Sequence, residues 1–486
     1  MIWSGSTAFG PGGVILSIVV LVAQLVVIGL ALVRPNRTPS ARVAWVAVVL
    51  FLPLVGILAY LLLGETDIGR RRVKALRDAE QAIARPVAPA PEHLDPTDAS
   101  AFRLVQSING FGPTAGNRIT LAESSQGAID ELVADIDAAT TSVHISFYIW
   151  LDDGDGGRVA DAVAAAARRG VACRILVDAL GSKLFLRSPR VGQLRDAGAH
   201  LVAALDDVPR LGHLAIGRPD LRNHRKIVVI DGRVAFCGSR NCADAAFRIK
   251  PRFAPWVDVF FRCEGPVVAQ EQWLFLTSWR AETGEQVTAD TGSATPGAPA
   301  PHAGSDVAAM FGTGPTSPDP AMSEAFVTAI ASARDRLTIT TPYFAPDQPL
   351  LQAICAAPQR GVATTLILPA HNDSWLVAAT ARSTYADLLH AGVEVYEYPL
   401  GLLHAKTMTI DDRLCLVGSA NMDRRSLQLN DENNLLADSP ALAARVGARQ
   451  QEYLAASRRV TAEEVAAWPW PRRLGQNAVA MMSPIL

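Results

Sequence analysis

Lysine is scarce in this chain. Of 45 basic residues only five are lysine (Lys74, Lys183, Lys226, Lys250 and Lys406), so arginine supplies nearly every cation. Excess positive charge is missing as well. The 45 Lys and Arg stand against 47 Asp and Glu, a net charge of −2, which excludes a polycationic nucleic-acid binder. Paired cysteines are absent. The six cysteines form no C-x-x-C and no zinc spacing. Cys173, Cys237, Cys263 and Cys415 fall in apolar, strand-like runs, so buried free thiols in a reducing compartment are expected. No H-E-x-x-H grouping occurs, and no metal or other cofactor is expected.

Apolar residues make up 49% of the chain, and their excess lies at the N-terminus. Residues 14–33 are interrupted only by Ser17 and Gln24, and residues 43–63 form a second run containing Pro53. Each is long enough to cross a bilayer as a helix. A signal peptide is disfavoured because no basic region precedes the first run. The expectation is a two-helix anchor over 1–66 with a tight turn at 34–42, and with Trp45 and Tyr60 as interfacial rings near the ends of the second span. Two spans would put the N-terminus and the body on one side. Arg70, Arg71, Arg72, Lys74 and Arg77 follow the second span. By the positive-inside rule the body is expected in the cytoplasm, on a multi-pass protein of the cell membrane. The basic cluster itself reads equally as an anionic-lipid contact or as a solvated helix.

After a basic segment and linker (67–100) the chain falls into an α/β rhythm, and it does so twice. Helices over 128–139 and 159–169 alternate with strands over 142–149 and 171–177. Helices over 325–333 and 350–356 alternate with strands over 337–341 and 362–368. RRGVACRILV matches QRGVATTLIL, and VAFCGSRN matches LCLVGSAN. The Gly-, Ala- and Pro-rich stretch 285–304 reads as a flexible link between domains at 101–284 and 305–486. Alternating strands and helices imply βαβ units and a mostly parallel sheet in each half. Duplication would let two equivalent motifs meet at one cleft.

Those motifs are His-x-Lys-x-x-x-x-Asp, found as His224, Lys226 and Asp231 and again as His404, Lys406 and Asp411. Two of the five lysines therefore occupy matching places. Two histidines facing one phosphate can perform metal-free transfer, one attacking phosphorus and the other protonating the leaving alcohol. Positions i and i+2 of a strand share a face, so each His and Lys pair points one way. Asp231 lies seven residues on, roughly 23 Å along a strand, too far to touch its own histidine. Asp231 and Asp411 are therefore assigned to turn formation and hairpin support. The return strands end in Gly238-Ser239-Arg240-Asn241 and Gly418-Ser419-Ala420-Asn421. Ser239, Asn241, Ser419 and Asn421 are expected as neutral donors to phosphate oxygens, with helix capping the plainer alternative. The two lysines would repel a cation in the same cleft. His144, His213, His371 and His390 read as structural or surface residues.

These residues resemble the phospholipase D superfamily and, within it, the bacterial cardiolipin synthases. The resemblance runs from the apolar N-terminus through RPDLRNHRKIVVIDGRVAFCGSRN and TPYFAPD to HAKTMTIDDRLCLVGSANMDRRS, LNDENN and the terminal SPIL. It implies an α/β fold: a two-helix hairpin followed by two tandem phospholipase D-like αβ(βα) sandwich domains with pseudo-two-fold symmetry and a shared cleft. It implies phosphatidylglycerol and anionic membrane lipids as partners, with no nucleic acid. One histidine, by likeness His224, would attack one phosphatidylglycerol and release glycerol. The other would then activate a second phosphatidylglycerol to form cardiolipin. Which histidine attacks is left open by the sequence. Asp258 and Glu432, 34 and 28 residues after the two histidines, match the places of the acids that orient them. A phospholipase D giving phosphatidic acid is the alternative. Three positions depart from the family pattern: Arg240 in place of a glycine, no tyrosine in the CADAAF segment, and Asp431 before Glu432.

Overall fold

The computed structural model describes residues 11–34, 39–64, 70–87, 90–92, 94–206, 221–287, 304–318 and 320–481. The chain divides into an N-terminal unit up to Gly69 and a body from Arg70 onwards.

In the N-terminal unit, α1 (Pro11–Val33) is the one helix among the described residues long and apolar enough to cross a membrane. The second expected span is not one helix. It is divided into α2 (Pro39–Phe51) and α3 (Pro53–Leu63) at Leu52, whose backbone leaves the helical region (φ −130°, ψ 71°). Pro53 is the cause: it lacks an N–H and disfavours the helical conformation of the residue before it. The Val49 carbonyl, which would have bonded residue 53, instead accepts from Gln24 Nε2 of α1 at 2.8 Å. The two pieces then fold back on each other. Trp45 and Tyr60 meet edge to face at 5.2 Å, whereas a straight helix would separate them by roughly 22 Å. Both rings are buried with Val27, Ala31 and Val49. They are therefore packed on each other rather than spread to opposite interfaces. At 13 residues, about 20 Å, α2 is too short to span a bilayer.

The body opens with α4 (Arg70–Ala82), which lies against α5 (Val267–Thr283), with Arg72 paired to Glu282 at 2.7 Å. The juxtamembrane cluster is thus docked on one side, while Arg71, Lys74 and Arg77 stay exposed.

Fifteen strands form one continuous sheet. In the first half these are β1 (Thr114–Leu121), β2 (Ser142–Phe147), β3 (Ala172–Asp178), β4 (His200–Ala204), β5 (Lys226–Ile230), β6 (Val234–Gly238) and β7 (Phe260–Glu264). In the second half they are β8 (Asp306–Thr313), β9 (Arg336–Thr340), β10 (Ala363–Pro369), β11 (Glu394–Tyr398), β12 (Thr407–Ile410), β13 (Leu414–Gly418), β14 (Glu432–Asp438) and β15 (Arg458–Val460). The halves join where β1 pairs antiparallel with β8. Outward from that joint the order is β1-β7-β6-β5-β2-β3-β4 on one side and β8-β14-β13-β12-β9-β10-β11-β15 on the other. The same connectivity is used twice, with β15 added at one edge. Helices cover both faces, which explains why IVVI and LCLVG are buried along their whole length.

The expected helices begin a few residues earlier than the hydrophobic pattern indicated. Ser124, Asp153 and Asp347 cap them by accepting from the N–H groups of Gly127, Gly156 and Leu350. Most of the expected link 285–304 lies outside the described residues. Its first residue is tied down, since Glu285 accepts from Arg174 at 2.8 Å and from Trp279 Nε1 at 2.7 Å.

Candidate active site

Antiparallel pairing of β2 with β5 sets Phe147 opposite Lys226, and pairing of β9 with β12 sets Thr340 opposite Thr407. The residues just before β5 and β12 therefore emerge where the parallel strands end. His224 and His404 stand there. At the other end of each hairpin, Asp231 and Asp411 make the turns, both with φ of 51°. Asp231 accepts from the N–H groups of Thr140, Thr141 and Ser142, and Asp411 from those of Arg334, Asp335 and Arg336, all at 2.8–2.9 Å. Each aspartate ties its hairpin to the start of the neighbouring strand.

The orienting acids are exchanged between the halves. His224 Nδ1 lies 2.8 Å from Glu432 Oε2, and His404 Nδ1 lies 2.6 Å from Asp258 Oδ1. Pairing within each half, as the sequence offsets suggested, does not occur. The backbone enforces the exchange. His224 N donates to the carbonyl of Asp431, the residue before Glu432, and His404 N donates to the carbonyl of Val257, the residue before Asp258. Each histidine is thus pinned to the chain segment that carries the other half's carboxylate.

The two serines are also not where the sequence pointed. Both are wholly buried. Ser239 Oγ donates to Asp258 Oδ1 at 2.6 Å, and Ser419 Oγ donates to Glu432 Oε2. They hold the carboxylates, so the expectation that they donate to phosphate is corrected. Ser426 Oγ adds a bond to Glu432 Oε1 at 2.7 Å. Asn421 Nδ2 is directed to Ser426 at 3.3 Å. Asn241 Oδ1 accepts from Ile149 N at 3.2 Å, and its Nδ2 has no hydrogen bond among the described residues.

Both lysines are buried. Lys226 Nζ donates to the His224 carbonyl at 2.6 Å. Lys406 Nζ donates to the His404 carbonyl at 2.7 Å and lies 2.8 Å from His404 Nε2. The two imidazoles therefore differ: His404 Nε2 is engaged by a lysine, whereas nothing among the described residues hydrogen-bonds His224 Nε2.

Burial brings His224 down to about 4, against the pull of Glu432. Burial and then Lys406 bring His404 to about 4, against Asp258. Burial alone would push both acids up, but the facing histidines, the lysines and the serine hydroxyls hold Asp258 and Glu432 at about 2. At neutral pH each site is a neutral imidazole beside a carboxylate. The Nδ1–H is donated to the acid, and the Nε2 lone pair points away from it. Burial takes Lys226 to about 8 and Lys406 well below its ordinary value. Lys406 acts on His224, and Lys226 on His404, so the two motifs share one electrostatic site.

Several residues of this site escaped the sequence reading. Asn433 clasps the Lys226 backbone, taking its N–H at 3.0 Å and giving Nδ2 to its carbonyl at 3.1 Å. Tyr148 stands with its ring 5.1 Å from that of His224, and Trp256 is 4.5 Å from His404. Tyr343 is 6.2 Å from His404 and donates its hydroxyl to Asp373 at 2.7 Å; Asp373 is also paired with Lys250 at 2.5 Å. The signal for the tyrosines was present, since each lies just beyond an aligned strand of the repeat, Tyr148 immediately after β2 and Tyr343 three residues past the end of β9. His144 is a core residue, stacked on Phe275 and held by Gln272 at 2.6 Å. Among the described residues no group of three or more His, Cys, Asp or Glu could hold a metal.

A twice-used α/β half-sheet with paired His and Lys sites is the arrangement of phospholipase D-like enzymes. A family model described as "Cardiolipin synthase, PLD-like domain" matches residues 132–251 and 326–453, and one described as "Phospholipase_D-nuclease N-terminal" matches residues 18–65. The chain is 36% identical over 463 residues to cardiolipin synthase A of Edwardsiella ictaluri (strain 93-146) and 37% identical over 463 residues to that of Cronobacter sakazakii (strain ATCC BAA-894). Each match covers 94% of both chains. The chain belongs to the bacterial cardiolipin synthase family of the phospholipase D superfamily, and it is a phosphatidyltransferase. A solved structure, phosphatidylserine synthase of Haemophilus influenzae Rd KW20, shares the fold with a TM-score of 0.58 at 14% identity, over 80% of this chain and 100% of that one.

Proposed function

We propose that this protein makes cardiolipin from two molecules of phosphatidylglycerol, with His224 as nucleophile and His404 as acid and then base. The observation that carries the assignment is the asymmetry at Nε2. His224 presents a free lone pair, while His404 shares its Nε2 with Lys406 at 2.8 Å.

In the first step His224 Nε2 attacks the phosphorus of one phosphatidylglycerol. The P–O bond to the glycerol headgroup breaks, and His404 delivers a proton to the departing oxygen. Lys406 is suited to supply that proton, because burial has weakened its hold on it. Arrival of the phosphodiester anion also raises the affinity of both imidazoles for a proton. In the second step the terminal hydroxyl of another phosphatidylglycerol gives its proton to His404 and attacks the phosphohistidine. Cardiolipin forms and His224 is released. Splitting one hard substitution into two is the gain of covalent catalysis. Lys226, Lys406 and Asn241 Nδ2 are the donors to non-bridging phosphate oxygens.

The two half-sheets are related by a pseudo-two-fold axis at the β1–β8 joint, so one cleft serves both histidines. The N-terminal helix α1 anchors the protein in the cell membrane, and the basic residues from Arg70 to Arg77 favour a cytoplasmic body.

The test is mass spectrometry of products from the purified full chain with phosphatidylglycerol vesicles, without CDP-activated lipid or metal. Cardiolipin and free glycerol in equal amounts are expected, with both lost in His224→Ala and His404→Ala. Phosphatidic acid in place of cardiolipin would mean that water resolves the intermediate.

A further inference from the structure

Nine large apolar side chains outside the N-terminal unit are strongly exposed among the described residues: Val87, Leu180, Leu184, Ile249, Trp375, Leu400, Trp470, Leu474 and Met481. Their distribution is not random. Leu180 and Leu184 follow the end of β3, Ile249 follows β6, Trp375 follows β10 and Leu400 follows β11. The strand registers put the ends of β3, β6, β10 and β11 at the sheet edge where His224 and His404 stand. Trp375 opens α6 (Trp375–Ser383), two residues after Asp373, the partner of Tyr343 beside His404. Trp470, Leu474 and Met481 lie on α7 (Trp470–Met481), which packs against α6. At 3.6 residues per turn these three fall within about 40° of one another around the helix. Eight of the nine therefore belong to the active-site edge or to the helix docked on it.

Charge is arranged in the same way. Of the three lysines of the body outside the motifs, Lys183 and Lys250 are exposed on this edge, and Arg472 and Arg473 are exposed on α7. A soluble protein does not gather exposed tryptophan and leucine with basic residues around its catalytic opening without a partner for them. An amphipathic helix with Trp and Leu on one face and arginine beside it is the composition that settles into an anionic lipid interface. Long basic side chains can reach headgroups from there.

We propose that this edge, led by α6 and α7, is a membrane-docking surface that seats the active-site mouth in the headgroup layer of an anionic phospholipid bilayer. It is distinct from the anchoring role of α1. Insertion of Trp375, Trp470 and Leu474 brings the lipid phosphate to the level of the histidines, so the acyl chains need not leave the bilayer. The inference rests on the reading of the substrate as a phospholipid.

The test uses the full chain reconstituted in phosphatidylglycerol-containing vesicles, with Cys355→Ser, the half-buried native cysteine, replaced to limit background labelling. A small fluorophore is attached in turn to Trp375→Cys, Leu474→Cys and, on the opposite edge, Arg168→Cys, and is quenched with lipids brominated on their acyl chains. Quenching at 375 and 474 roughly threefold or more above that at 168 is expected, since such a face sits about 5–10 Å into the headgroup and acyl boundary. Equal quenching at all three positions would overturn the proposal. So would self-quenching at 474 that depends on protein concentration and not on brominated lipid, because a second copy would then cover the surface. Cardiolipin formation is followed in the same samples and separately in detergent micelles. Product without selective quenching refutes the docking surface alone, whereas absence of product in both settings refutes the substrate reading.

Discussion

At the scale of single residues, the exchanged acids make a prediction that pairing within halves would not. The probe is a phosphatidyl ester of p-nitrophenol, whose leaving group needs no proton. His224→Ala and Glu432→Gln remove the nucleophile or its orienting base, so the initial burst of nitrophenol falls about 10²–10⁴-fold. His404→Ala and Asp258→Asn disable only proton delivery, so the burst survives while transfer to phosphatidylglycerol is lost. A burst that survives in Glu432→Gln and vanishes in Asp258→Asn would reverse the assignment of the two histidines. The same residues set the pH dependence. His224, lowered to about 4, is a nucleophile only when unprotonated, so kcat/KM falls as pH drops through about 4. Lys226, lowered to about 8, binds the phosphate only as an ammonium, so kcat/KM falls again as pH rises through about 8. A free-enzyme kcat/KM profile should therefore plateau between these limits, and activity rising steadily above pH 8 would remove Lys226 from phosphate binding.

At the scale of elements, the motif residues, their strand hairpins and the helix and strand rhythm were legible, because each rests on local periodicity and on the φ > 0 turn that Asp231-Gly232 makes. The exchange of Glu432 and Asp258 was not, since an offset along the chain says nothing about which half a strand end faces. Ser239 and Ser419 were misread for a related reason. Their hydroxyls could serve a phosphate or a carboxylate equally well, and only the neighbouring strands β7 and β14 decide. The second apolar run was read by composition, where Pro53 counts as one residue among 21, yet its missing N–H divides the helix. That reading can be tested. A short bifunctional thiol reagent should link Trp45→Cys to Tyr60→Cys within one chain in membranes. Adding Pro53→Leu permits a straight helix with the two positions roughly 22 Å apart, and the link should disappear. A link that persists with leucine at 53 would show that packing against α1, and not the proline, makes the bend.

At the scale of the whole molecule, the sheet runs unbroken through the β1–β8 joint. Asp306 reinforces the joint by accepting from Ile119 N at 2.8 Å and from Ser439 Oγ at 2.5 Å. Continuity of the chain between the halves should therefore matter little once the protein is folded. With a protease site inserted at 295, cutting the purified enzyme should leave the two pieces together on a sizing column and the rate of cardiolipin formation within about twofold, since buried sheet pairing and core contacts hold them. The first half expressed alone should be inactive, because its histidine has no carboxylate. Dissociation after cutting would show that the covalent link carries the assembly.

The exchanged carboxylates also bear on descent. Each copy of the repeat holds a histidine that it cannot orient and an acid that it does not use. A single-repeat precursor of the same geometry would have been competent only as a pair of identical chains. After fusion, neither copy could lose its acid without silencing the other's histidine. Inheritance of the site is therefore joint, and a half-domain transplanted between diverged relatives has to bring along the strand that faces its new neighbour.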